Sequence, residues 1–247
     1  MIYFKWRQVG LALTGMVGML GLASTAVNAA QHASEISRGR HLIVNFLNIV
    51  RGDVSDRGRG SIGGSRPVGD PKKDIPICIV NPGDREIVWG LQPLFLLRGN
   101  VAQVAVQPLG AEEENLWNAV PTPTDSGVSQ ASYDGNPLQP GGNYAWEFYE
   151  SLPDDSIARA LRIPFQVMEE GEERDRIATE LEQLQTDFKT QGADADAIAQ
   201  AQADYFFAND LWADALQQLF SVETPSPALV EERTALVEEI CLQELQR

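Results

Sequence analysis

The chain has 247 residues, of which 35 are acidic, 19 basic and two histidine, and its formal net charge is −16. Affinity for nucleic acids and for anionic membranes comes from Lys and Arg side chains that displace counterions. The composition therefore argues against nucleic acid and anionic membranes as partners.

The first 29 residues have the layout of a secretory signal peptide. Lys5 and Arg7 precede an apolar run at residues 9–23, and small residues follow up to Ala29. A retained transmembrane anchor is the alternative, but glycines interrupt the run and it is shorter than the roughly 20 apolar residues that a spanning helix needs. We predict an exported protein, periplasmic or extracellular, with no membrane span once residues 1–29 are removed.

Residues 30–74 form a leader rich in Gly and Arg, which we predict to be partly disordered. Within it, the apolar island 41–50 could add a strand to the domain that follows. The stretch RGDVSDRGRGSIGGSRPVGD at residues 51–70 invites comparison with a phosphate-binding loop, but no Lys follows its glycines. We therefore interpret the leader as an approach to the folded domain and assign it no ligand.

The charge is distributed unevenly along the chain. Residues 31–75 contain eight basic and five acidic residues, whereas residues 169–247 contain five basic and nineteen acidic ones. We expect Arg57, Arg59 and Arg66 to pair with the protein's own acidic C-terminal region. If the leader is instead free in solvent, these arginines are the best candidates for contacting an anionic partner.

Residues 75–168 predict an all-β domain. Short runs of Val, Ile, Leu and aromatic residues alternate with Pro, Gly, Asn and Asp, and about seven strands fit this spacing. The stretch PLQPGGNYAWEF, at residues 137–148, resembles the turn and strand of immunoglobulin-like sandwiches, in which a tyrosine bonds back to the turn. Tyr144, Trp146 and Phe148 alternate along the strand and should share one buried face.

Residues 169–247 predict an acidic helical region packed on the sandwich. Apolar residues at steps of four, three and four within residues 172–190 indicate an amphipathic helix. Further helical stretches hinge near Asn209 and Asp210, and Pro227 can start the last one. The predicted fold class is thus α+β, with an immunoglobulin-like antiparallel β-sandwich followed by a C-terminal α-helical hairpin region.

The two cysteines, Cys78 and Cys241, lie near the two ends of the predicted folded region. In an exported chain an even pair at such positions suggests a disulfide that clamps the ends of the domain together. Two separate buried thiols are the alternative, because the two residues must also approach each other in space.

The residue types in the chain argue against most kinds of catalytic and metal-binding site. From residue 75 onward there is no histidine, which excludes a Ser-His-Asp triad, a Cys-His pair and His-ligated metal sites. Glu147 and Glu150 could form an acid–base pair, but such pairs arise by chance in an acidic chain. Acidic clusters lack the spacing of a calcium loop. We predict no catalytic residue, no cofactor and no metal.

A longer pattern carries a family resemblance. The segment SDRGRGSIGGSR at residues 55–66 is followed twelve residues later by Cys78, then by Tyr-Ala-Trp at 144–146 and Trp-Ala-Asp-Ala-Leu at 212–216. Over residues 45–222 this order of elements resembles an exported cyanobacterial family known as domain of unknown function 928. That family has no established activity, so the resemblance implies export and architecture and assigns no catalytic residue.

These observations favour a non-enzymatic protein, a protein-interaction or scaffold module of the cell envelope whose partner is another envelope or secreted protein. The alternative is a carbohydrate-binding module in which exposed aromatics, Trp117 and Tyr133, stack on sugar rings. A carboxylate-dependent hydrolase is a third and less favoured hypothesis. The sequence leaves the oligomeric state open.

Overall fold

The computed structural model describes residues 77–111, 115–152 and 154–244. The predicted signal peptide and the leader, with Arg57, Arg59 and Arg66, lie outside the described residues. Within the described part of the chain, two β-sheets and four α-helices form an α+β fold.

Nine short strands make up the two sheets of the described chain. They are β1 (Cys78–Asn81), β2 (Glu86–Val88), β3 (Leu94–Arg98), β4 (Gln103–Pro108), β5 (Trp117–Ala119), β6 (Thr122–Pro123), β7 (Ser129–Ser132), β8 (Asn143–Ser151) and β9 (Ile157–Val167). The four-stranded sheet has the order β1-β3-β7-β6 and the five-stranded sheet the order β2-β9-β8-β4-β5. Neighbouring strands are antiparallel except for β2 and β9, which are parallel.

The parallel pair differs from the wholly antiparallel sandwich that the sequence predicts. After β1, a short turn moves the chain from the four-stranded sheet to the edge of the five-stranded one, where β2 meets the last three residues of β9. Alternation of apolar residues shows which face of a strand is buried, but it does not show whether the neighbouring strand runs parallel or antiparallel. The pattern could therefore not reveal this pairing.

Four helices follow the strands, where the sequence predicts a helical hairpin region. They are α1 (Glu172–Thr190), α2 (Ala195–Ala208), α3 (Trp212–Phe220) and α4 (Pro227–Glu244). The Asp194 carboxylate caps α2 by accepting a hydrogen bond from the Ala197 amide at 2.9 Å. In α1, Ile177 and Leu181 are the buried residues of the predicted apolar stripe.

The described elements are stacked in three layers, with the four-stranded sheet in the middle. Along β3, Leu94 and Leu96 belong to the core shared with the helices, whereas Phe95 and Leu97 belong to the core between the two sheets. All four side chains are buried. The helices therefore cover one face of the four-stranded sheet, and the five-stranded sheet covers the other.

A buried carboxylate fixes α3 to the loop between β2 and β3. The two oxygens of Asp214 accept hydrogen bonds from the backbone amides of Trp89 and Gly90, each at 2.7 Å. A Cβ atom at Gly90 would lie 3.2 Å from Asp214 Oδ1, so glycine permits this close approach. Burial raises the pKa of Asp214 to about 6, although the two amide hydrogen bonds act in the opposite direction.

One turn later, Gln217 repeats this attachment with its side-chain amide. Its Oε1 accepts from the Leu94 amide at 3.2 Å, and its Nε2 donates to the Gln92 carbonyl at 3.1 Å. Side chains of α3 thus bond to backbone groups of the loop between β2 and β3 and of Leu94, the first residue of β3.

The predicted disulfide is confirmed. Cys78 in β1 and Cys241 in α4 are bonded, with their Cα atoms 5.5 Å apart and a separation of 163 positions in sequence. Both side chains lie in the core between the helices and the four-stranded sheet. The bridge therefore joins the first described strand to the last helix.

Loss of this bridge should destabilise the fold. In the chain-entropy model, a loop of this length makes the Cys78→Ser/Cys241→Ser double variant about 5 kcal/mol less stable than the oxidised protein. Urea unfolding followed by circular dichroism measures the difference. An unchanged midpoint would mean that the unfolded chain is already restricted without the bridge.

Removal of the Asp214 carboxylate should leave two amides near α3 without acceptors. We expect Asp214→Ala to lower the free energy of unfolding by about 2 kcal/mol, because buried donors left unpaired are costly. Glu238→Ala, at an exposed position of α4, serves as the control and should change little. Equal stability of the two variants in urea unfolding would contradict the role given to Asp214.

Candidate functional site

The candidate site is the outer face of the five-stranded sheet, the face turned away from the core between the sheets. It is defined by the side chains that alternate with buried inner residues such as Val104, Trp146 and Phe148. Polar members of the outer face are Gln103, Gln107, Glu147, Tyr149, Arg159 and Arg162, and apolar members at its ends are Ile87 and Ile157. The side chains in its middle are buried, namely Ala105, Gln107, Ala145 and Glu147.

Glu147 lies at the centre of the outer face and is fully buried. Its Oε1 is 2.8 Å from Arg159 Nη1 and 3.2 Å from Arg162 Nε, and its Oε2 accepts a hydrogen bond of 2.7 Å from the Tyr149 hydroxyl. Burial and this bond to a carboxylate both raise the pKa of Tyr149. The cluster is a carboxylate held by two guanidinium groups and a phenol.

A β-bulge brings both arginines to the same face. Phe148 pairs with Leu161 and Tyr149 with Arg159, so Ala160 is an extra residue in β9. Without the bulge, side chains three residues apart would point to opposite faces of the sheet. Sequence analysis missed this cluster because strict alternation separates Arg159 from Arg162, and no turn residue marks the bulge.

Glu147 and Glu150 do not form the facing carboxylate pair that a hydrolase would need. They are three residues apart on β8, and their side chains therefore point to opposite faces. Glu147 already interacts with Arg159, Arg162 and Tyr149, whereas Glu150 is exposed. The geometry suits Glu147 to hold the arginines in place.

The two predicted sugar-stacking aromatics lie elsewhere, at one end of the sheets. Tyr133 is only 4% exposed and donates its hydroxyl proton to the Asn136 carbonyl at 2.9 Å. Trp117 is half-buried, with its ring centroid 5.3 Å from that of Tyr133 and 5.8 Å from that of Phe95, and its indole N–H bonds to Asp134. The prediction of an exposed aromatic is wrong for Tyr133, because its ring belongs to the core between the sheets.

Next to these rings is a cleft of about 380 Å³, lined in part by Tyr133, Tyr144, Leu116 and Pro137. The Tyr144 hydroxyl accepts a hydrogen bond of 2.9 Å from the Gln139 amide, which confirms the predicted bond from this tyrosine to the preceding turn. Both tyrosine hydroxyls are therefore engaged by the protein's own backbone. The cleft offers a ligand mainly apolar surface.

The described residues contain neither a cluster suited to a metal ion nor a helix suited to a membrane. No group of three or more His, Cys, Asp or Glu side chains among them is placed to hold a metal ion. None of the helices α1 to α4 is long and apolar enough to cross a membrane. In comparisons with known proteins, neither a family model nor a curated protein matches the sequence.

The cluster predicts unequal effects of truncating its members. Glu147→Ala removes the buried acceptor shared by Tyr149 and two partly exposed arginines, so it should cost about 2 to 3 kcal/mol of stability. The Arg159 side chain is 49% exposed, and Arg159→Ala should cost less than about 1 kcal/mol. Equal losses for the two variants in urea unfolding would show that Glu147 is not the centre of the cluster.

Proposed function

We propose that the protein is an exported, non-enzymatic interaction module, which binds another envelope or secreted protein through the exposed part of the outer face of its five-stranded sheet, at Ile87, Ile157 and Arg159. The observation that carries the proposal is the composition of this face. It combines Arg159, Arg162 and Tyr149, residue types that are enriched in protein–protein interfaces, with exposed aliphatic side chains.

The apolar side chains border the polar cluster at both ends of the face. Ile87 is 48% exposed at one end, and Ile157 is 47% exposed at the other. On the described helices, the large hydrophobic side chain with comparable exposure is Leu242. This distribution favours the sheet, and not the helices, as the surface that a partner binds. The partner should present an apolar patch of its own to these aliphatic side chains.

The ionic cluster supports this role by limiting the freedom of the side chains that a partner would meet. Arg159, Arg162 and Tyr149 converge on one buried carboxylate, so their orientations are set before any contact is made. Ordering such long side chains only upon binding would cost about 0.5 to 1.5 kcal/mol each. A face whose side chains are already ordered loses less conformational entropy when it binds a partner.

The immunoglobulin-like character of the sheets is also proposed. It is supported by the Tyr144 hydroxyl bond to the Gln139 amide, by Gly141 at φ 74°, and by the buried Trp146 two residues after the tyrosine. Tyr144 and Trp146 also belong to the pattern that resembles domain of unknown function 928. The other parts of that pattern are residues 55–66, Cys78 and residues 212–216, and we propose membership of the family on this basis.

Export is the remaining part of the proposal. The layout of residues 1–29 supports it, and so does the bond between Cys78 and Cys241, because structural disulfides persist mainly in oxidising compartments. The periplasm and the extracellular space both meet this condition.

Affinity capture with matched variants tests the interaction. The mature chain is used as bait on envelope and secreted fractions of its native cell, alongside Ile87→Asp/Ile157→Asp and the control Leu242→Asp. We expect the first variant to retain less than about one tenth of the protein recovered with the native bait, since buried charges weaken apolar interfaces. The control should recover the native amount.

Two outcomes would overturn the proposal. Recovery of only the bait itself would mean that no stable envelope partner exists. Equal recovery by native bait, Ile87→Asp/Ile157→Asp and Leu242→Asp would mean that the outer face is not the surface used. Circular dichroism of each bait confirms that the substitutions leave the fold intact.

A further inference from the structure

Four neighbouring side chains at the centre of the outer face are buried. They are Ala105 and Gln107 of β4 and Ala145 and Glu147 of β8, and the strand register pairs the first with the last and the two others with each other. In chain order, their exposed fractions are 1%, 7%, 0% and 0%. We call these four residues the covered patch.

The two cores do not account for the burial of the covered patch. Its members belong neither to the core between the sheets nor to the core shared with the helices. They alternate along their strands with inward-pointing residues such as Val106 and Trp146, so they point away from both cores. Nor do they shield one another, because Gln107 and Glu147 are long side chains that need atoms above them to be buried. Another part of the chain therefore packs over the patch.

The described elements do not supply this cover. The helices lie against the four-stranded sheet, and the main contacts of β4 and β8 among the described elements are with strands of their own sheet. Three of the segments outside the described residues are short and lie elsewhere. Residues 112–114 and residue 153 stand between exposed neighbours in loops, and residues 245–247 follow α4 in the helical layer. The segment that is left is 1–76.

The chain enters the described fold beside the outer face. Ile77, the first described residue, packs against the core between the sheets, and the edge strand β1 follows it directly. Residues 82–85 alone separate β1 from β2, which is the edge strand of the five-stranded sheet. A segment that precedes Ile77 therefore has to pass around a single sheet edge to lie over the outer face.

Within the leader, residues 41–50 match the covered patch. Seven of these ten residues are apolar, and none carries a formal charge when the histidine is neutral. Residues 51–66 contain four arginines and two aspartates, and they would bring like charges towards Arg159 and Arg162 at the border of the patch. Apolar side chains gain most from the removal of water, so the apolar segment is the better cover for two alanines.

The chain between this segment and the described fold is long enough for the contact. Residue 50 lies 27 positions before Ile77. An extended chain of that length reaches about 90 Å, whereas five strands spaced about 4.8 Å apart span about 20 Å. The length of the chain thus permits residues 41–50 to reach any part of the outer face.

We infer that the outer face is a docking site for residues 41–50 of the same chain, which lie outside the described residues and pack over the covered patch. The leader then has its receptor on the domain that it precedes. The border of the outer face, with Ile87, Ile157 and Arg159, is left for another protein. The inference stands independently of the proposed interaction, because it concerns the protein alone.

Labelling of carboxylates with a carbodiimide and glycine ethyl ester, followed by mass spectrometry, tests the docking in the mature, oxidised chain. Glu147 is the probe, and the exposed Glu150 of the same strand is the internal reference. We expect Val44→Asp/Leu47→Asp to raise the labelling rate of Glu147, relative to Glu150, about tenfold, because a charge is costly in an apolar contact.

The matched control changes two apolar residues elsewhere in the leader. Val54→Asp/Val68→Asp adds the same charge outside residues 41–50 and should leave the labelling rate of Glu147 at its native value. Circular dichroism of both variants confirms that the domain stays folded.

A substitution in the covered patch tests the same contact from the other side. Ala145→Arg places a long charged side chain where residues 41–50 are expected to pack. Cleavage by chymotrypsin after Phe46 should then become about ten times faster than in the native chain, because a segment that is released more often is cut more often.

Three results would overturn the inference. The first is an equal labelling rate of Glu147 in the native chain and in Val44→Asp/Leu47→Asp. The second is an equal rise in the control, since another part of the leader would then be the cover. The third is loss of the protection of Glu147 on dilution, as a dimer separates, which would assign the cover to a second copy of the chain.

Discussion

The described structure depends on the burial of the four-stranded sheet on both of its faces. Leu94 to Leu97 in β3 form a continuous apolar run, and a strand of this kind is stable only when both of its faces are covered. The five-stranded sheet covers one face and the helices cover the other. The helical layer is therefore part of the same fold as the sheets, and it completes a core that the strands cannot close by themselves.

Polar and covalent contacts determine where the helical layer attaches. The side chains of Asp214 and Gln217 accept hydrogen bonds from the backbone of the β2–β3 loop and of Leu94, the first residue of β3. The Cys78–Cys241 bond secures the opposite end of the helical layer. Apolar packing alone would allow the helices to slide over the flat surface of Leu94 and Leu96, because hydrophobic burial is non-directional. Directional bonds remove that freedom.

Local patterns in the sequence predicted much of the fold. Tyr144, Trp146 and Phe148 alternate with polar or small residues, and their burial followed from that alternation. The turn before them was also predictable, since Gly141 and the Tyr144 hydroxyl bond belong to one short segment. The position and number of the two cysteines were enough to suggest their pairing, because the chain offers no other thiol.

Features that depend on pairing between distant strands were not predictable in this way. The extra residue Ala160 places Arg159 and Arg162 on one face with Glu147, and only the register between β8 and β9 reveals it. Burial of Tyr133 depends likewise on which sheet faces it. The candidate site was thus missed by reasoning that treats each strand separately, although each of its residues is visible in the sequence.

The disulfide also has a consequence for a chain that has been cut. Because it links the first described strand to the last helix, a protease that cleaves any loop between Cys78 and Cys241 leaves the two fragments covalently joined. The fragments stay at high effective concentration, and the nicked domain can keep its three layers together. One covalent bond thus makes a single cut of the backbone tolerable.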